Sequence, residues 1–155
     1  MKNNYEYASQ LPEDFEKPEF SDVKFMTAAE KESVLKNFRT VIDKRSLEFI
    51  HKDLYIHLNC HCGFIAHYNI QGFRDAYSAP KDFLFFVEQF AGKYSFEMLF
   101  CPDYKDINTE MIKYAKANYE KIKQEMLHKE YEDDLSIIRL LAKKHNLSFT
   151  LAREE

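Results

Sequence analysis

Residues 46–70 read SLEFIHKDLYIHLNCHCGFIAHYNI, and two periodicities compete in them. Leu47, Ile50, Leu54, Leu58 and Ile65 recur at spacings of 3, 4, 4 and 7, which places them on one side of a helix. Leu54, Ile56, Leu58, Cys60 and Cys62 also alternate with Tyr55, His57, Asn59 and His61, the pattern of a half-buried strand. In that case Gly63 would turn the chain into Phe64–Ile70 as a hairpin. Few of these residues are β-branched, and the helical stripe begins well before Leu54. The helical reading is therefore preferred, with Gly63 costing it ~1 kcal/mol. The fold class follows from this choice: mostly α, a compact bundle of four to five helices with room for one small strand pair. The alternative is an α+β fold with a hairpin over 54–70.

The flanking sequence favours helices on both sides. Thr27-Ala-Ala-Glu30 has the form of a capping box, in which hydroxyl and carboxylate satisfy each other's backbone amides. Val34, Leu35, Phe38, Val41 and Ile42 then give an apolar stripe to about Lys44. Gln71–Ala79, containing Gly72, reads as a connection. Ser78-Ala79-Pro80 suits a helix start, because proline is tolerated in a first turn. Phe83, Leu84, Val87 and Phe90 would face the core, widened by Phe85 and Phe86, and Gly92 would end that helix. Ser95–Phe100 alternates as a short strand candidate before Pro102. Asn108 or Thr109 can cap a helix carrying Ile112, Ala115, Tyr119, Ile122 and Met126. A further helix is predicted from Asp133 or Asp134 to His145, with Leu135, Ile138, Leu141 and Ala142 inward and the acidic pair at its dipole-favoured start. Asn146 would stop it, and Leu147–Leu151 would add a short strand or a tail.

A chain of 155 residues suits one domain. With 3 Gly, 4 Pro, 14 Phe and 10 Tyr, it is neither linker-like nor collagen-like, and 45% hydrophobic residues argue against disorder. No apolar run reaches the ~20 residues that a membrane helix needs. The net charge of -4 argues against dominant phosphate-backbone binding. Residues 1–26 differ from the rest: they hold Pro12 and Pro18, six acidic residues and three lysines. They read as an extended acidic and aromatic arm preceding one helical domain over 27–155. Tyr5, Tyr7, Phe15 and Phe20 in that arm are candidate partner-binding residues. The start at Met1 has neither a secretory nor a transit pattern, and the odd count of cysteines suits a reducing compartment, so a cytoplasmic location is expected.

One cluster stands above background. His57, Cys60, His61, Cys62 and His67 fall within eleven residues, where an even spread would place about 0.6. Imidazole and thiolate are the common ligands of zinc and similar divalent metals. On a helix, Asp53, His57 and His61 stack in a column, with Cys60 and His67 near its flank. His57, His61, Cys60, Asp53 and His67 are thus the candidate metal ligands. The spacing matches no established zinc motif, and buried cysteines and histidines are often plain core residues.

Two functional classes follow. The first is a small intracellular binding or regulatory module that acts through protein contacts, with a partner protein or a second copy. Nucleic acid is the weaker partner, since Lys113, Lys116, Lys121, Lys123 and Lys129 read equally as a solvated helix face. The second is a metal-binding protein or metal-dependent enzyme centred on residues 57–67.

Overall fold

The computed structural model describes residues 26–62, 64, 69–92 and 102–150. Tyr5, Tyr7, Phe15 and Phe20 of the arm, together with Gly63, Ile65, His67, the strand candidate 95–100 and Cys101, lie outside the described residues. Within them the chain is helical, with no strand: α1 (Ala28–Lys44), α2 (Lys52–His61), α3 (Ile70–Ala76), α4 (Pro80–Ala91) and α5 (Lys105–Lys144). Short 3-10 turns at Leu47–Phe49 and Pro102–Tyr104 precede α2 and α5.

The capping box opens α1. Thr27 Oγ1 accepts from the Glu30 amide at 3.3 Å, and the Thr27 amide donates to Glu30 Oε2 at 2.7 Å. Val34, Leu35, Phe38, Val41 and Ile42 are buried, as their spacing requires. Arg45 ends the helix in the left-handed region and reaches Glu125 of α5 at 2.8 Å.

The stretch that decides the fold is helical, but broken. Ser46 caps the 3-10 turn by accepting from the Glu48 amide, and Ile50 is extended. The buried Asn37 of α1 holds this break: its Nδ2 donates to the Phe49 carbonyl at 2.8 Å, and its Oδ1 accepts from the His51 amide at 2.9 Å. An uninterrupted helix over 46–61 would consume those two backbone groups internally. Leu47, Ile50, Leu54 and Leu58 are all buried nonetheless, so the stripe survives the interruption.

Two boundaries differ from the sequence expectation. Residues 71–76, read as part of a connection, belong to α3 (Ile70–Ala76). Asn69 Oδ1 caps it by accepting from the Gly72 amide at 2.7 Å, and Phe73 is buried edge-on against Tyr55 and Phe64. A capping side chain and one aromatic anchor outweigh the low propensity of Gly72. In addition, the two helices expected after Asp103 are one. α5 runs 40 residues, about 60 Å at 1.5 Å per residue, through Asp133 and Asp134 without a stop. Residues 147–150 form no strand.

The core is aromatic. Phe38 meets Phe90 edge-on at 4.8 Å and lies 6.5 Å from Phe86. Phe64 stacks on Phe90 at 5.6 Å. Gly92 closes α4, where a Cβ would stand 2.5 Å from the Glu88 carbonyl oxygen. α5 packs along α4 and α1. Tyr119 donates to Glu88 at 2.6 Å and Tyr114 donates to Asp43 at 2.7 Å, fixing it to both.

Phe85 was expected on the apolar face of α4, yet it is 55% exposed, whereas Phe86 is fully buried. Phe38→Ala is therefore expected to cost about 3–5 kcal/mol in chemical denaturation. Phe85→Ser should stay within about 0.5 kcal/mol of the parent.

Candidate functional site

The histidine–cysteine cluster lies where α2 meets the start of α5. α2 turns His57 inward, and the ring is 1% exposed. Its Nε2 is 2.7 Å from Oδ1 of the buried Asn108 on α5. An amide oxygen only accepts, so Nε2 carries the proton and donates, leaving Nδ1 as the bare nitrogen. Cys62, also buried, donates its thiol to the same oxygen at 3.4 Å. His57 Nδ1 and Asn108 Nδ2 have no hydrogen-bond partner among the described residues.

Tyr104 completes the group. Its ring lies 4.2 Å from that of His61 and 5.4 Å from that of His57, centroid to centroid, and the two histidines are 5.3 Å apart. Tyr104 accepts from the Met26 amide at 3.4 Å, and the Lys31 ammonium stands 5.5 Å from its ring centroid. Lys31 in turn pairs with Asp106 at 3.0 Å.

Burial sets the protonation states. It pushes His57 down to about 4 from an ordinary 6.5, against an opposing contribution from the Asn108 hydrogen bond. It also lowers His61 and raises the Cys60 and Cys62 thiols. Both histidines are therefore neutral and both cysteines protonated at pH 7. Neutral imidazole can ligate, and a thiol held protonated is a poor nucleophile.

The structure brings together two of the expected residues, His57 and His61, whose ring centroids are 5.3 Å apart, while Cys60 and Asp53 share α2 with them, Cys60 half-buried and Asp53 exposed in the first turn. His57 Nε2 is already committed to Asn108. Among the described residues, no group of three or more His, Cys, Asp and Glu stands where it could hold a metal ion. The described residues therefore offer His57 only through Nδ1, and His67, the fifth candidate, lies outside them.

Asn108 was expected as a helix cap, but it lies inside α5 and faces the core. Its signal was present in the sequence. Asn108, Ile112, Ala115, Tyr119, Ile122 and Met126 recur at 4, 3, 4, 3 and 4, so Asn108 belongs to the apolar stripe.

A second candidate lies at the far end of α5. Among the described residues beyond Met126, only Leu135 is buried. Eight of the eleven exposed large hydrophobic residues are here, including Leu127, Tyr131, Ile138 and Leu141, at 44–52% exposure. At 100° per residue these four centre about 105° around the helix from the Asn108–Met126 stripe. This face is therefore no continuation of the one that packs on α1 and α4. Comparison with protein-family models, with curated proteins and with solved structures finds nothing that matches this chain.

The buried neutral His57 makes stability pH-dependent. Its folded-state value is depressed, so its contribution is complete above about pH 6.5 and is lost as pH falls towards 4, where only the unfolded chain takes up the proton. Urea titrations from pH 7 to pH 4 are expected to show about 3 kcal/mol of loss from this group. His57→Gln, which keeps an amide donor and cannot titrate, should flatten most of that slope.

Proposed function

We propose that this chain is a binding or regulatory module acting through protein contacts, with the distal half of α5 as its binding element. The observation that carries the reading is the concentration of exposed apolar residues beyond Met126. Isolated exposed hydrophobics need no explanation, but several gathered on one side of a helix are a recognised interaction feature. Leu127, Tyr131, Ile138 and Leu141 recur at 4, 7 and 3, which sets them on one side of the helix with Asp134 between them.

The head made by α1 to α4 and the first half of α5 would serve as the mount. Its His57–Asn108–Cys62 group ties α2 to α5 through two hydrogen bonds to the Asn108 oxygen, which supports anchoring of α5 more than chemistry. The free thiols of Cys60 and Cys62 suit a reducing compartment, in keeping with a cytoplasmic location. No helix among the described residues is long and apolar enough to cross a membrane.

If the face is reserved for a partner, it contributes little to the fold. The combined variant L127Q/Y131Q/I138Q/L141Q is expected to change unfolding free energy by less than about 1 kcal/mol. A photo-cross-linking side chain at Ile138 should give discrete polypeptide adducts, while the same probe at the exposed Lys36 of α1 should not. A loss of about 4 kcal/mol or more in the fourfold variant would make this face part of the chain's own core and contradict the reading. So would the absence of adducts.

A further inference from the structure

One buried residue on distal α5 has no cover from the elements described so far. Leu135 is 5% exposed, while Tyr131, Glu132, Ile138 and Arg139, its neighbours one turn to either side, are all exposed. The helix's own side chains therefore do not bury it. The core does not reach it either. The last α5 residue of the core cluster is Met126, nine residues and about 14 Å away.

The end of α5 turns the chain back towards this place. Asn146 stands in the left-handed region at φ 52°, its amide donates to the Lys143 carbonyl at 3.4 Å, and the Leu147 amide donates to the Ala142 carbonyl at 2.8 Å. These are the two bonds of a Schellman motif, which caps the last carbonyls and brings the following residue back against the last turns of the helix. Phe149 is only 41% exposed although it follows the end of the helix, and Ala142 is half-buried. Leu147, Phe149 and Leu151 alternate with Ser148 and Thr150, the pattern of an extended segment with one apolar side.

We infer that residues 147–155 return along distal α5 as a strap, with Leu151 packed on Leu135. The reach fits. Four residues of extended chain from Leu147 to Leu151 span about 13 Å, the rise of about nine helical residues. Counted back from Lys144 at the helix end, that length brings Leu151 level with Leu135. Two further residues bring Arg153 level with Glu132, which lies 60° around the helix from Leu135 and has no ion pair among the described residues. Leu127 and Leu141 lie about 80° and 120° from Leu135 on the other side, so the strap takes one flank of distal α5 and leaves that side open. The strap needs no partner protein and goes beyond the binding-module reading: adducts at Ile138 test that reading, and the cover over Leu135 tests this one.

The full chain carrying Leu135→Cys is treated with a maleimide, and the adduct is located by peptide mass because the chain has cysteines of its own. Labelling at this position is expected to be slow, and to become at least about tenfold faster when F149S/L151S is added. F15S/F20S, in the N-terminal arm, should leave it unchanged. Because Leu135→Cys removes part of the contact itself, a benzophenone side chain in place of Leu151, in the otherwise unaltered chain, gives a second measurement. Its cross-links are expected on the α5 peptide that contains Leu135, within one chain in a mixture of heavy- and light-isotope protein. Labelling that F149S/L151S does not change overturns the inference. So does labelling released by F15S/F20S instead, which would make the arm the cover. Cross-links that fall elsewhere, or that join heavy to light chains, overturn it as well.

Discussion

After Asp103 the chain has no glycine and no proline, and one helix runs unbroken through and beyond the core. This continuity is the constraint on which the rest depends. The first half of α5 is held by α4 and α1 through Ile107, Met111, Ile112, Ala115, Ile122 and Met126, which are all buried. That packing meets the cost of helix nucleation, and the second half propagates from it at one hydrogen bond per residue. A separate helix of the distal length would be marginal in water, whereas an extension of a packed one is not.

The head is organised to hold the base of this helix. Two buried asparagines do comparable work at different points. Asn37 satisfies two backbone groups at the break before α2. Asn108 receives His57 and Cys62 from α2, linking it to α5. Each lies among apolar residues, where an unmet polar group costs about 1–3 kcal/mol, so the bonds specify one arrangement of helices as well as stabilising it. The aromatic cluster around Phe38, Phe86 and Phe90 supplies the bulk of the contact, and the asparagines fix its register.

The sequence was most legible where periodicity and capping agree. Thr27, Pro80, Gly92 and the stripe of α1 stand as their residue types predict. It was ambiguous over 54–62 because alternation and helical spacing share Leu54 and Leu58, and the scarcity of β-branched residues pointed the right way. It misled at α3, where a glycine outweighed Asn69 and Phe73. Directly after Met126 the apolar stripe shifts by about 100° around the helix. In one dimension that shift is indistinguishable from a new helix, and in three it means that the two halves of α5 face different surroundings. The histidine–cysteine cluster was visible as composition, but its hydrogen-bond partner Asn108 lies 51 residues from His57, beyond any local pattern.

The central claim is that the packed and exposed halves of α5 are one rod. Spin labels attached through unnatural side chains at the exposed Lys116 and Lys143, in chains diluted with unlabelled protein, measure this by pulsed dipolar spectroscopy. Twenty-seven residues of continuous helix put those positions about 40 Å apart. A narrow distribution near that distance is the result expected. A distance under about 20 Å, as two helices folded back at Asp133 would give, would contradict the account.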